Sequence, residues 1–388
     1  MVRTSLLSVL VASLVVFVPS VARAQAEPYR VFDTRPLITE GPYLIATSDR
    51  STTVVWLTDT PSHSRVRYGT NGSLDRVAEP QVDGLVPVGT KHVVHLTGLE
   101  PGTTYSYQVI STRVVKLKAY WPDKGLDTES EVHTFTTLDP ARPTASFSVV
   151  TDTHEDVGRI NRLMKMIDWP TTDFLVHTGD AFHWLDTEDQ LLRNWLTPTA
   201  SALAHGTPLV FARGNHELRG PFARNLFEYI PTVEGRFYYA RDAGPVHLIV
   251  LDTTEDKPDD TNVYARLNQT TAYRNEEFDW LQSHVETSGR VHASPFRVIV
   301  MHQPQWGWLA EGPDRWMKLA SDAGVDLVIA GHRHRFSYSA PEPGRSYHLL
   351  VVGQDQLARV DATTTELTAV VTGVDGVEVH RLVIGRRR

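Results

Sequence analysis

The chain has 388 residues, 41% of them hydrophobic and 22% charged, a size and composition that suit two packed units with a sizeable core. A net charge of −8 with no dense basic stripe gives no electrostatic reason to expect strong binding to nucleic acid or an anionic membrane. Cysteine is absent, which excludes disulfides, thiolate metal sites and a lipid-bearing signal-site cysteine.

The N-terminus reads as an export signal. Arg3 precedes an apolar stretch over 6–18, followed by Pro19 and an Ala22-Arg23-Ala24 end that fits a small-x-small cleavage rule. The reading predicts a signal peptide over 1–24, a mature chain from Gln25 and a secreted or periplasmic location. The alternative is a retained anchor, but the thirteen-residue apolar run falls short of the roughly 20 needed to span a bilayer, so no transmembrane anchor is expected. A short N-terminal segment, 25–40, leads into the first unit.

Over 41–138, stretches rich in Val, Thr, Tyr and Trp at 52–58, 64–68, 91–96, 104–111 and 132–136 alternate with turn residues, which predicts an all-β antiparallel sandwich. Pro140 and Pro143 mark a linker over 139–145. Beyond it the texture changes, and the span 146–385 is expected to be a layered α/β domain. Strand-like runs at 146–151, 174–178, 208–212, 246–252, 295–301, 325–330 and 347–352 alternate with helix-like segments at 157–169, 190–203, 275–285 and 316–323. The sequons at Asn71 and Asn268 have meaning only in a host that glycosylates exported chains.

Five short polar motifs each follow an apolar strand: Asp152 and His154, Asp180, Asn215 and His216, His302, and His332 with His334. In layered α/β folds the loops beyond the carboxyl ends of strands form the ligand crevice, so these side chains are expected in one cleft. Glycines 179, 214 and 331 fit tight turns there. Carboxylate, amide oxygen and neutral imidazole suit metals of the zinc, manganese and iron group. Seven donors are wasteful for one ion and suit two ions that share a carboxylate, which would activate a bridging water for hydrolysis.

These motifs resemble those of the calcineurin-like metallophosphoesterase superfamily, from about Phe147 to Val383. The segment from Leu96 to Val109, with Trp56 before it, resembles fibronectin type III domains; Trp56 would then be core and Tyr105 a corner tyrosine bonded to backbone. The combination is similar to purple acid phosphatases. The resemblance implies a four-layer β-sandwich flanked by helices, with Asp152, His154, Asp180 and His334 on one metal and Asp180, Asn215, His302 and His332 on the other. By the same likeness Asp180 bridges the two ions, and Asn215 and His216 contact the phosphate, with His216 protonating the leaving oxygen. Purple acid phosphatases carry a tyrosinate ligand where this chain has His183, and His154 is offered instead; that departure predicts a colourless enzyme with iron, zinc or manganese. His183 is expected as an eighth ligand, a substrate contact or a plain loop histidine.

Flanking residues carry further expectations. Trp184, Trp306 and Trp308 are candidate cleft walls, with Trp306 a candidate substrate contact. Glu217 is a candidate to orient an imidazole, Arg213 and Arg333 to neutralise phosphate or pair with acids, and the acidic loop 252–260 to be a solvated surface. The implied function is an exported phosphomonoesterase acting on a small phosphate ester. The alternatives are a phosphodiesterase with the same centre, or a non-catalytic binding or adhesion protein whose second domain is a relic.

Overall fold

The computed structural model describes residues 29–203, 206–232, 235–308 and 312–387. The expected signal peptide and its cleavage site lie outside the described residues. Among the described residues, no helix is long and apolar enough to cross a membrane.

The first unit is built from strands β1 (Ile38–Ile45), β2 (Ser51–Thr70), β3 (Arg76–Ala78), β4 (Gly89–Thr97), β5 (Thr104–Lys116), β6 (Asp123–Glu129) and β7 (His133–Thr136). Two of the expected strands, 52–58 and 64–68, are one. The first half of β2 pairs with β1 and β4 and the second half with β5 and β3, so a single strand serves both faces of the unit. The change of partner falls where the β2–β4 register breaks between Leu57 and Ser62, around Pro61, which has no N–H to give to a ladder. Val54, Trp56, Val66, Val94, Leu96, Tyr105, Val109 and Phe135 fill the space between the faces. Trp56 Nε1 donates to Ser111 Oγ at 2.8 Å, and the Tyr105 hydroxyl accepts from the Glu100 backbone N–H at 2.9 Å.

The second unit begins with β8 (Thr144–Val150), which starts inside the expected linker, followed by β9 (Phe174–His177) and β10 (Leu209–Phe211). These three run parallel and are buried on both faces. A second sheet contains β11 (Tyr239–Ala243), β12 (Val246–Val250), β13 (Phe296–Val300), β14 (Leu327–Ala330), β15 (Ser337–Ser339) and β16 (His348–Val351), in the order β11-β12-β13-β14-β16-β15. A C-terminal meander, β17 (Gln356–Thr363), β18 (Glu366–Gly373) and β19 (Glu378–Gly385), extends the first sheet beyond β8. None of these three, nor β11 and β15, was foreseen.

The layers follow from which side chains alternate inward. Phe147, Val149 and Val176 meet Leu248, Val298, Val300 and Ile329 between the sheets. The other face of the first sheet covers the helix Val157–Met166 through Ile160, Leu163 and Met164, and the helical stretch 188–203 through Leu191, Trp195 and Leu203. That stretch is continuous except for a π turn at Leu192–Leu196. The outer face of the second sheet packs on the helices Thr270–Thr287 and Asp314–Asp322 through Leu281, Trp316 and Ala320. Helix, sheet, sheet and helix make the four layers. The first sheet continues into the N-terminal unit, because β1 lies parallel to β10 through Ile45 and Leu209, so thirteen strands form one sheet.

Candidate metal centre

The carboxyl ends of β8, β9 and β10 on one sheet and of β13 and β14 on the other point the same way, and their loops meet. Backbone bonds fix the meeting: Asp152 N donates to Gly179 O, His154 N to Asp180 O, and Gly331 N to His302 O, at 3.0, 3.1 and 2.9 Å. His302 Nδ1 donates across the sheets to Thr178 O at 2.8 Å.

Asp152, His154, Asp180, His332 and His334 all adopt left-handed φ, between 44° and 71°, a conformation costly for residues with a Cβ and concentrated at functional sites. Glycine is needed for two different reasons. Gly179 has φ +91°, whereas Gly331 lacks room: a Cβ there would lie 1.9 Å from Thr151 Oγ1 and 2.6 Å from Asp152 Oδ2.

One donor group comprises Asp152, His154, Asp180 and His334, and a second Asp180, His302 and His332, each with its ligand atoms within 4.8 Å of one another. Asp180 belongs to both. In the first group His154 Nδ1 donates to the Phe182 carbonyl at 3.0 Å, which leaves Nε2 as a lone pair, 2.9 Å from His334 Nε2. Asp152 Oδ2 accepts from Thr151 Oγ1 and His332 N, while Oδ1 is buried without a hydrogen-bond partner, 3.4 Å from His334 Nε2. In the second group His302 Nε2 lies 3.0 Å from Asp180 Oδ2, and His332 Nδ1 lies 3.2 Å from His302 Nε2 and 3.1 Å from Asn215 Oδ1. The lone pair of His154 Nε2 and the buried orphan oxygen of Asp152, with the Asp180 carboxylate beside them, are what divalent cations would satisfy.

The electrostatics differ between the members of the site, with His302 holding a proton against Asp180 in the place a cation would take and two other histidines kept neutral. Burial opposes a charge on Asp180, but His302 and the backbone N–H of His216 hold it well below the usual carboxylate range. Burial would lower His302, yet the Asp180 charge and hydrogen bond, with Asp152 and Glu217, carry it up to about 9. His154 and His332 are pushed down to about 4, chiefly by burial, and so are neutral and ready to ligate at neutral pH.

Glu217 does not orient an imidazole. It is buried and accepts from the backbone N–H groups of Asp180, Ala181 and Gly214 at 2.9, 2.6 and 2.7 Å, tying two donor loops together. His216 donates from Nδ1 to the His183 carbonyl, and its Nε2 lies 3.1 Å from Arg219 Nη1 and 3.8 Å from Asp180 Oδ2. Guanidinium has only donors, so His216 Nε2 is an acceptor here and the ring has no proton to give until Arg219 moves. His183 is exposed, stacks on His154 at 4.6 Å and joins His154 and His216 in a third donor group.

Several flanking expectations are corrected. Trp306 is 2% exposed and packs on Trp316 and Tyr347, so it cannot line the cleft; Trp184 and Trp308 remain exposed. Arg213 is bound by Asp252 at 2.8 and 2.6 Å and covered by Phe237, out of reach of phosphate; Arg333 is exposed. The acidic loop is not a solvated surface: Asp252 and Glu255 are buried, and Glu255 grips Arg219 with both oxygens at 3.0 and 2.9 Å. Arg219 has no counterpart among the sequence expectations, since its partners Glu255 and Asp256 lie 36 and 37 positions away.

The calcineurin-like phosphoesterase family matches residues 145–336, and the N-terminal domain of purple acid phosphatases matches residues 39–137. No curated protein sequence matches the chain. Among solved structures the fold is similar to a purple acid phosphatase from yellow lupin (Lupinus luteus) seeds, at 14% identity and a TM-score of 0.67, covering 90% of this chain and 75% of that one. It is also similar to PhoD, at 12% identity and a TM-score of 0.59, covering 90% of both chains. Fold, donor groups and family together define a metal-dependent phosphoric ester hydrolase. The chain contains a calcineurin-like phosphoesterase domain with a purple acid phosphatase N-terminal domain in front of it.

Proposed function

We propose that the chain is an exported phosphomonoesterase working with two metal ions of the iron, zinc and manganese group. The observation that carries the reading is the pair of donor groups sharing one buried carboxylate, Asp180. Asp152, His154 and His334 with Asp180 would hold one ion, and Asn215, His302 and His332 with Asp180 the other. When bound there, such ions would supply the acidification of water and the polarisation of a phosphoryl group.

The chain's own residues do the positioning. Thr178 O and Phe182 O fix the tautomers of His302 and His154, so both Nε2 atoms face the centre. Glu217 holds the Asp180 and Asn215 loops in register. His216 and Arg219, on the open side of Asp180, would meet the phosphoryl oxygens, with Arg219 Nη1 as donor and a protonated His216 available to the leaving oxygen only once the guanidinium has turned to the ester. His183, exposed beside them, would touch the same substrate.

Elemental analysis of the full chain with rates on p-nitrophenyl phosphate and bis(p-nitrophenyl) phosphate tests this reading. About two ions per chain and a preference for the monoester are expected. A strong preference for the diester would make it a phosphodiesterase, and sub-stoichiometric metal under replete conditions with no hydrolysis would leave a binding protein.

A further inference from the structure

A pocket of about 530 Å³ has in its wall Arg219, the partner of His216, with Leu218, Pro221, Arg224, Lys257, Val263 and Leu267 around it. Two of its apolar side chains, Val263 and Leu267, are 72% and 70% exposed. They stand on a loop where Ala265 and Arg266 take left-handed φ of 48° and 61°. Apolar side chains held out by strained backbone at the lip of a cleft are characteristic of surfaces that cover something.

Hydrogen bonds join this loop to the metal centre without a gap. Tyr264 OH donates to Glu255 Oε2 at 2.7 Å, Glu255 holds Arg219, Arg219 Nη1 donates to His216 Nε2 at 3.1 Å, and His216 N donates to Asp180 Oδ1 at 3.0 Å. The pocket and the candidate centre therefore share one guanidinium. A phosphoryl group seated at Asp180 would have its ester oxygen directed past His216 toward this wall, or toward a second hollow on the His334 side. That hollow has a polar rim of Arg335, Gln354, Asp355, Gln356 and Asp375, with Asp355 already held by Arg159 and Arg162.

The pull of the Arg219 pocket is apolar. Arg219 and Lys257 are already held by Glu255 and Asp256, which leaves Arg224 as the wall's remaining cation beside the apolar side chains. A flat ring suits this wall, lying against Val263 and Leu267 with the guanidinium plane on one edge. We propose that this pocket seats the aromatic leaving group of the substrate, making the enzyme selective for aryl and other planar-ring phosphomonoesters. The assignment rests on the phosphomonoesterase reading above.

The test uses the full chain loaded with manganese(II), binding phenylphosphonate and methylphosphonate in a calorimeter, beside a Val263→Ser, Leu267→Ser double variant. Both side chains are exposed, so the replacement does not open the core. The native chain is expected to prefer phenylphosphonate by about tenfold or more, the worth of covering one ring face, and the variant to bring that ratio near one. A native ratio near one, a variant that keeps the preference, or no binding of either phosphonate overturns the subsite. Turnover of phenyl and ethyl phosphate is followed in parallel: a ring preference in binding with no hydrolysis of either ester overturns the phosphomonoesterase reading and leaves the ring pocket standing.

Discussion

The N-terminal unit and the metal-bearing unit both bury polar side chains, and they settle them in opposite ways. In the first, the Thr58 hydroxyl gives its proton to Thr60 O and accepts from His92 Nε2 at 2.8 Å, and Trp56 Nε1 finds Ser111 Oγ. Each of these donors faces an acceptor, and the orphans of this unit, Thr34 Oγ1 and His63 Nε2, belong to no donor cluster among the described residues. In the second, Asp152 Oδ1 is a buried oxygen without a hydrogen-bond partner and His154 Nε2 a lone pair, both turned toward the space beside His334 Nε2. Left-handed non-glycine residues are scattered in the first unit, at Ala46, Asn71, Asp83 and Trp121, while in the second, besides others in its loops, five of the donors, Asp152, His154, Asp180, His332 and His334, share that conformation at one centre. One region is arranged for its own stability, the other for a guest.

That contrast can be broken by experiment. Asp180→Asn removes the charge both donor groups share, and is expected to lower kcat about a thousandfold or more with loss of bound metal; near-normal turnover would end its bridging role. Trp306→Ala should cost about 3–5 kcal/mol of stability, read by denaturant unfolding, with little change in KM, since its ring lies in the core; a large KM rise would put it back in the cleft.

The N-terminal unit should respond to acid in its own way. Burial first, then the nearby His63, pushes His92 down to about 4. The unfolded ring takes a proton below about 6.5 and the folded one does not until about 4, so this stability is complete above 6.5 and drains away between those values, by about 3 kcal/mol. His92→Gln is expected to flatten the unfolding midpoint against pH in that window, and an unaltered slope would refute the assignment. The smallest effect is expected at Glu217→Gln, which leaves one of three backbone N–H groups without its carboxylate oxygen. Metal affinity should fall about 10- to 100-fold in a competition titration while the far-ultraviolet spectrum is kept.

How much of this was legible in the sequence depended on whether a residue announced its partner locally. The five donor motifs were visible because each sits at the end of an apolar strand, and chain order alone places strand ends along one edge. The C-terminal meander escaped because its inward positions include Ala358, Ala362 and Ala369, too small to raise a strand signal. Trp306 was misplaced because nearness to His302 in sequence says nothing about direction; its own φ of +71° accompanies a turn that sends the indole into the core. Arg219 was invisible because its partner, Glu255, lies 36 positions away and no spacing rule connects them. Glu217 was noticed but misread, since its acceptors' partners are backbone groups, which every residue has.

The single parallel pairing of Ile45 with Leu209, reinforced by the Tyr43 hydroxyl on Tyr229 O at 2.6 Å, has a mechanical consequence. A molecule spliced through its own β ladder, with Tyr43, Ile45 and Leu57 packed in the same core as Leu209 and Tyr229, resists swinging one half against the other. Admission and release of a substrate must then be the work of surface loops around a stiff frame, and heating should melt both halves in one cooperative step.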